Sequence, residues 1–464
     1  MINYHFNNKE SFYTLRKNYR LSLQKTDIGI QITKAKKVPN RNEYYLDRTQ
    51  LRSGHITAES VSNQLANIRH IVFEVTDACN LQCTYCAYRD FYDNYDKREN
   101  RYLDVRKAKL LIDFVFEKSN TPANKSPRKD ILVNFYGGEP LLNMDFITEV
   151  VSYTKRMEND CVKFRYSMTS NGVLLKKYLP FFIQYDFDIL VSLDGSKEND
   201  AYRLFHNGKS SFDTVYDNMI HIRDNYPVFF ERNILFNSVL HNLNNRQEVF
   251  QFFQHEFNKV PLFSKVNDVG IKSEMEKKFD VLATPGQEMP DDKSETEMKR
   301  VMDLNYDKTK RLQQFIFLHS GNKYNSYNDL LFKRDNFRYL SSGTCFPFSR
   351  KIFMTVNNKL LPCEKIGQRF SFGRVTETGV DIDCEEVARK YNGYCDSLRK
   401  LCSRCHHVGN CSVCMFGVQN KEDKLVCKSF VNKRGFDDYL QKGVDRLSQN
   451  PELYKRIVEE VAIL

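Results

Sequence analysis

Cys79-Asn-Leu-Gln-Cys83-Thr-Tyr-Cys86 places three cysteines in one short stretch, at CxxxCxxC spacing. Three thiolates on a tight loop suit a soft metal centre. A [4Fe–4S] cube has four irons and normally takes four cysteine thiolates, so three leave one iron open to a small molecule. Zinc is the alternative, although zinc knuckles favour CxxC pairs and require a fourth ligand; a chance cluster is the third reading. The stretch directly follows an apolar run, His70-Ile-Val-Phe-Glu-Val75, that reads as a β-strand. The thiols therefore sit where a strand ends.

The surrounding chain supplies the elements that must hold them. Strands are expected at 70–75, 131–136, 164–168, 188–193 and 234–239, and helices at 105–118, 144–156, 174–184, 212–223 and 246–257. Repeated β–α units predict a parallel sheet with right-handed crossovers. About six units fit, so the fold class is α/β, a partial (β/α)6 TIM-type barrel. In such folds chemistry sits on the loops at the C-terminal strand ends. Four more stretches fall there: Gly137-Gly138-Glu139-Pro140, Thr169-Ser-Asn171-Gly172, Ser192-Leu-Asp194-Gly195 and Asp200-Ala-Tyr-Arg203. Glycines let backbone approach a ligand closely. Their carbonyls and Glu139 can accept hydrogen bonds from an ammonium group, and the fork of Arg203 suits a carboxylate. Alone, each is also an ordinary turn or helix cap. Their shared position and order behind CxxxCxxC set them apart.

As a set these residues resemble the radical S-adenosylmethionine (SAM) superfamily. The resemblance implies that Cys79, Cys83 and Cys86 hold a [4Fe–4S] cluster whose open iron takes the amino and carboxylate groups of SAM. Gly137, Gly138, Glu139 and Pro140 would then meet the SAM ammonium. Thr169, Asn171, Ser192 and Asp194 would serve its ribose and carboxylate, and Arg203 would pair with the carboxylate. Asn199 stands where the family usually has His. Tyr85 matches an aromatic position near cluster and adenine, and Tyr88 would offer backbone groups to adenine; both read equally as core aromatics. The implied chemistry starts with one electron from a donor such as flavodoxin or ferredoxin. SAM then breaks to methionine and a 5′-deoxyadenosyl radical, which abstracts hydrogen from an unactivated C–H bond.

Nine further cysteines lie between 345 and 427. Cys345 and Cys363 bracket a segment, 351–361, that reads as a hairpin turning at Asn357-Asn358. Cys402, Cys405, Cys411 and Cys414 follow in a CxxC–x5–C–xx–C run, and Cys427 comes later. A double zinc ribbon is one reading. The kernel also resembles the SPASM domain, which carries auxiliary [4Fe–4S] clusters. By that resemblance Cys402, Cys405, Cys411 and Cys427 hold one cluster. Cys345, Cys363 and Cys414 share the other, completed by Cys384, Cys395 or an open iron. Two residues rather than three separate Cys411 from Cys414, a departure from the pattern. His406 and His407 read as loop residues, and Cys161 as an ordinary half-buried thiol.

The 464 residues, 41% apolar, allow two or three domains. The net charge of +11 suits an acidic peptide partner, while no long Lys/Arg run points to nucleic acid. No targeting signal is read in residues 1–10 and no apolar run reaches membrane-span length, so a cytoplasmic protein without membrane association is expected. Thirteen cysteines in that setting argue for metal or redox chemistry over disulfides. The expected organisation is an N-terminal extension (1–68), the radical SAM core (69–275), a linker and helical segment (276–340), the SPASM domain (341–430) and C-terminal helices (431–464). The extension contains a hairpin around Thr26-Asp27 and a capped helix at 57–66. It either packs on the barrel or docks a leader peptide by strand addition. Residues 276–300, charged and bearing Pro285, Gly286 and Pro290, read as a linker or mobile loop.

The resemblance spans roughly residues 68–430 and is closest to radical SAM–SPASM maturases of ribosomally made peptides and proteins. It implies hydrogen abstraction from a peptide and formation of a thioether or other intrapeptide crosslink, because an auxiliary cluster can accept the second electron. An anaerobic sulfatase maturase, which makes formylglycine, is the alternative. There Glu364, directly after Cys363, replaces an Asp that is a candidate base, unless it is only a surface residue. A zinc-ribbon binding protein without catalysis is the distant alternative.

Overall fold

The computed structural model describes residues 9–14, 19–26, 29–35, 51–52, 56–125, 130–159, 162–284, 312–313, 338–339, 343–406, 408, 411, 413–421, 424–436, 438–439 and 442–443. The expectations for Cys161, His407, the Asp27 turn, Pro285, Gly286 and Pro290, and most of 301–340 and 444–464 lie outside the described residues. The chain forms two compact units: Ile56–Met289 with Cys345–Asn392, and Met1–His55 with Pro290–Thr344 and Gly393–Leu464.

The first unit is built on six parallel strands: β1 (His70–Thr76), β2 (Ile131–Gly137), β3 (Phe164–Ser170), β4 (Asp188–Ser192), β5 (Ile234–Leu240) and β6 (Leu262–Lys265). Between them run α2 (Val105–Ser119), α3 (Met144–Met157), α4 (Leu175–Gln184), α5 (Phe212–Asn225), α6 (Pro227–Asn233) and α7 (Arg246–Phe257), with α1 (Ala58–Ala66) ahead of β1. Thr57 caps α1 in a reciprocal capping box with Ser60. Burial alternates along β2, β3 and β5. One face carries Val133, Phe135, Tyr166, Met168 and Phe236, all buried. It packs on the helices, with Phe73 edge-on to Phe146 at 5.8 Å. The opposite face carries Asn134, Tyr136, Ser167, Thr169, Ser192 and Asn237, all half-buried. Such alternation is what a sheet with one covered and one open face requires.

The sheet extends beyond the six strands. β7 (Ile352–Met354) pairs parallel with β1, and β8 (Lys359–Leu361), β9 (Gly373–Val375) and β10 (Val380–Asp381) follow antiparallel. The expected cysteine-bracketed hairpin is β7–β8, and the second asparagine of its turn, Asn358, takes a left-handed φ of 62°. Its pairing with β1 joins it to the barrel sheet. The expected linker at 276–300 opens instead as a helix, α8 (Glu276–Ala283). Phe279 and Leu282, three apart on one face, bury themselves against Tyr85, Phe91 and Tyr92. Helix α9 (Cys384–Cys402) follows β10.

In the second unit, Lys9–Thr14, Tyr19–Thr26 and Gly29–Ala35 form an antiparallel sheet. The expected hairpin is its second and third strands, with Thr26 opposite Gly29. Leu51–Arg52 pairs with Arg338–Tyr339, and Gln419–Lys421 with Lys424–Val426. Among the described residues no helix is long and apolar enough to cross a membrane.

Candidate active site

The CxxxCxxC loop leaves the end of β1 and is pinned from three sides. Ahead of it, Gly138 N–H donates to Thr76 O and Glu139 N–H to Ala78 O, both at 2.8 Å. Along it, the segment Tyr202–His206 runs antiparallel: Gln82 N–H donates to Leu204 O (2.7 Å) and Thr84 N–H to Tyr202 O (3.1 Å), while His206 Nε2 lies 2.8 Å from Cys79 O. Tyr85, between the last two cysteines, is buried in the cluster completed by α8. Cys79, Cys83 and Cys86 are free, half-buried thiols. Burial pushes Cys79 up to about 11 and Cys83 up to about 12, so these thiols stay protonated until a metal takes the place of the proton. Leu81 N–H already points at Cys79 Sγ (3.4 Å), and Asn171 Nδ2 lies 3.8 Å from it. Among the described residues no three His, Cys, Asp or Glu side chains stand close enough to hold one metal ion. A cube, by contrast, takes each thiolate on a different iron. Three thiols on one loop, with amide donors aimed at sulfur, fit such a cluster.

The glycines of Gly137-Gly138-Glu139-Pro140 are required by this packing. Gly137 has φ 131°, and a Cβ on Gly138 would lie 1.8 Å from Ala78 O. Glu139 is fully buried. Its Oε1 accepts from Leu141 N–H (3.1 Å) and Ser170 Oγ (2.9 Å), and its Oε2 from Asn171 N–H (2.7 Å). Burial pushes its carboxyl up to about 7 against the pull of those donors. Glu139 thus ties the loop after β2 to the loop after β3. Pro140 opens a short 3₁₀ turn behind it. Asn171 Nδ2 donates to Asn80 Oδ1 at 2.7 Å, linking the third-strand motif to the cysteine loop. Thr169 and Ser192 lie on the open face of the sheet.

Asp194 and Arg203 meet as a buried pair. Arg203 Nη2 donates to Asp194 Oδ1 at 3.0 Å and Nε to Oδ2 at 3.1 Å. Val239 N–H and the Tyr85 hydroxyl also donate to Asp194. Burial opposes its charge, but Arg203, then His241 and the Tyr85 hydroxyl, hold the carboxyl below its ordinary range. Asp200 accepts Asp194 N–H (2.8 Å) and lies 3.5 Å from Arg203 Nε; burial, then the neighbouring Asp194, pushes its carboxyl up. Asn199 accepts from Ser196 and donates to Leu243 O. Sequence reasoning missed His241. It is fully buried, stacks on Tyr85 at 5.7 Å and places Nε2 3.8 Å from Asp194 Oδ2. Its Nδ1 accepts Leu243 N–H (3.2 Å), which assigns the proton to Nε2. The available signal was its place at the end of β5.

The β7–β8 hairpin brings a second group to the barrel unit. Glu74, on β1, accepts Val356 N–H at 3.0 Å and Gln368 Nε2 at 3.3 Å. Burial pushes it up to about 7, with Val356 N–H and the Tyr88 hydroxyl working against the shift. Tyr88 stands 5.0 Å from Tyr95 and beneath the Arg98 guanidinium at 4.2 Å. Cys363 is half-buried and pushed up to about 12 by burial; Cys345 is exposed. Burial works against the charge of Glu364, but Lys351 Nζ at 3.1 Å overrides it and holds the carboxyl below its ordinary range. Tyr95 is pushed up to about 12 by burial, with the charges of Cys86, Cys363 and Glu364 adding to it. Tyr136, on the open sheet face, feels burial and then Glu364, Tyr95 and Cys86.

In the second unit, burial pushes Cys402 up to about 11, and Cys411, Cys405, Cys427 and Cys395 add to the shift in that order. Cys402 thus lies within electrostatic range of Cys411, Cys405 and Cys427. Val413 N–H points at Cys411 Sγ (3.4 Å) and Val431 N–H at Cys405 Sγ (3.5 Å). Cys395 stands with this set and contacts Met415 Sδ at 3.8 Å. Cys384 stands at the start of α9 within range of Lys118. Cys345 and Cys363 belong to the barrel unit and Cys414 to the other.

The pattern of the Radical SAM superfamily matches residues 73–254. A cysteine-type anaerobic sulfatase-maturating enzyme of Clostridium novyi (strain NT) is 30% identical over 213 residues, 44% of this chain and 54% of that protein. The radical SAM cyclopropyl synthase TigE of Paramaledivibacter caminithermalis is 23% identical over 382 residues, 80% of this chain and 72% of its own. The chain spans about half the length of the first curated relatives it matches. The solved structure "Native anSMEcpe with bound AdoMet" shares the fold, with a TM-score of 0.51 at 15% identity over 84% of this chain and 99% of that one. The match begins on β1, runs through all five strand-end loops that meet around the three thiols, and ends on α7: the chain carries a radical SAM domain, whose cofactors are SAM and a [4Fe–4S] cluster.

Proposed function

We propose that the protein is a radical SAM maturase that acts on a ribosomally made peptide and forms a thioether or other intrapeptide crosslink. The observation that carries this reading is the pairing of the β7–β8 hairpin with β1: it joins the segment that ends in Cys363 and Glu364 to the sheet whose first strand leads into the cysteine loop. A substrate on the open sheet face would lie between the cysteine loop and that hairpin. When bound, cluster and SAM supply the hydrogen-abstracting radical chemistry. Cys79, Cys83 and Cys86 hold the cluster. Glu139 and the two glycines fix the loop beside it, and Asn134, Ser167 and Asn237 offer uncharged hydrogen-bonding groups to a peptide.

The same proposal assigns an auxiliary [4Fe–4S] cluster to Cys402, Cys405, Cys411 and Cys427, and a second to Cys345 and Cys363. A flavodoxin or ferredoxin would deliver the electron, in the cytoplasm. The N-terminal sheet is proposed as a leader-docking edge. Formylglycine formation on a sulfatase is the second reading, favoured by Glu364: a carboxylate that Lys351 keeps ionised can accept a proton.

The test is anaerobic co-expression with a candidate precursor peptide, followed by intact mass with and without thiol alkylation. Loss of two hydrogens with a cysteine that resists alkylation supports the thioether; the same loss with reactive cysteines supports a carbon–carbon or carbon–oxygen link. An aldehyde formed on a sulfatase-derived peptide selects the second reading. Unmodified peptides in every case contradict both.

A further inference from the structure

The open face of the barrel sheet changes character across its width. On β2 and β3 it holds Asn134, Ser167 and Thr169, all half-buried. On β4 to β6 it turns aliphatic. Leu190 and Leu235 stand side by side in register, and Leu262 lies beside Asn237. Alternation fixes their direction. Phe236 is buried against Phe253 of α7, and Phe263 meets the Arg246 guanidinium of the same helix at 4.4 Å. Their neighbours Leu235 and Leu262 therefore take the open face. Both are uncovered: Leu235 is 48% and Leu262 55% exposed. Neighbouring exposed leucines on a sheet face mark an interaction surface more strongly than single ones do.

Two observations say what covers them. First, β6 is the last strand on its side, and among the described residues no strand pairs with its outer edge. A free edge is a template for an extended chain. Second, the patch runs into the candidate active site. Val239, four residues or about 13 Å up β5 from Leu235, packs with Cys83 against the Tyr85 cluster. Val266, directly after β6, belongs to that cluster. Between the leucines and the loop, Ser264 Oγ donates to Asn237 Oδ1 at 2.7 Å, so these two polar groups satisfy each other. Lys265, the one charged residue of β5 and β6, shares the parity of Phe263 and leaves the open face uncharged.

We propose that the free edge of β6 takes an extended segment of the substrate peptide by strand addition, and that Leu235 and Leu262 select an aliphatic side chain on it. This rests on the reading of the protein as a peptide maturase. Side chains of an extended peptide alternate, so the selected residue stands an even number of positions from the one turned toward the cysteine loop.

The test uses the full chain, anaerobically reconstituted and immobilised with SAM but no reductant. It captures capped peptides from a random X4-Cys-X4 library, and the captured sequences are read by mass spectrometry. Wild type is expected to enrich Leu, Ile or Val about 10-fold over Gly at an even-numbered position from Cys, equivalent to about two buried methylenes. Leu262→Lys should shift the enrichment at that position to Asp and Glu, a switch that a misfolded protein does not produce. Its melting temperature should be unchanged, because the side chain is exposed. An aliphatic preference that survives in both Leu262→Lys and Leu235→Lys overturns the proposal, and so does a flat profile in wild type. A flat profile together with a wild-type dimer that Leu262→Lys dissociates assigns the face to a second copy of the chain instead. Capture of no peptide by wild type defeats the peptide-maturase reading itself.

Discussion

Gly138→Ala adds one methyl group at the tightest point of the site. The new Cβ would lie 1.8 Å from Ala78 O, 2.5 Å from Ala78 C and 3.0 Å from Asp77 O. All three are backbone atoms, so no rotamer change relieves the clash. The two chains must separate by about 1 Å to restore van der Waals contact. That movement breaks the 2.8 Å bond from Glu139 N–H to Ala78 O and strains its neighbour from Gly138 N–H to Thr76 O. Each buried group left unpaired costs about 1–3 kcal/mol, giving about 2–6 kcal/mol for the pair. For a unit of this size the melting temperature should fall by about 5–15 °C. The displaced backbone leads straight into Cys79, so iron uptake should fall as well. Gly379→Ala is the control, because nothing lies within 4 Å of a Cβ there. The assay is thermal unfolding by circular dichroism together with iron content after anaerobic reconstitution. A Gly138→Ala protein that melts and loads iron like wild type would refute the close-approach argument.

The other expectations concern the carboxyls, the hairpin and the second cysteine set. Burial raises Glu74 and Glu139 from 4.5 to about 7. The folded state therefore favours their protonated forms, and the stability they contribute is present below about pH 4.5 and lost as pH rises through about 7. Glu74→Gln should flatten the fall of unfolding free energy across that window by up to about 1.4 kcal/mol per pH unit; an unchanged slope in urea titrations contradicts the assignment. Asn358→Val should destabilise by about 1–2 kcal/mol because its φ of 62° is left-handed, whereas Asn358→Gly should be tolerated; equal melting temperatures for the two variants would dismiss backbone strain. Cys405→Ala should abolish modified peptide while leaving some uncoupled SAM cleavage, measured as deoxyadenosine; normal product would remove that cysteine set from the mechanism.

Five of the six barrel strands could be read locally, since each is an apolar stretch ending in a glycine-bearing or polar loop. The sixth, Leu262-Phe-Ser-Lys265, is too short to carry a period. Helix α8 was hidden by its charges, because only Phe279 and Leu282 mark its buried face. The pairing of β7 with β1 joins residues 352–354 to 71–73, a contact no local pattern encodes. The motif residues are where their spacing suggested, around one loop. What they touch was not legible. Whether Glu139 faces a ligand or the neighbouring loop depends on Ser170 and Asn171. Whether Arg203 is available depends on Asp194 and Asp200, which only the fold brings near.

The most direct test of the account is 5′-deoxyadenosine formation by the anaerobically reconstituted protein with SAM and dithionite, compared with Cys79→Ala, Cys83→Ala and Cys86→Ala. The account predicts deoxyadenosine from the wild type and none from any of the three variants. Equal formation by one of the variants, or none by a wild type carrying its full iron, would contradict it.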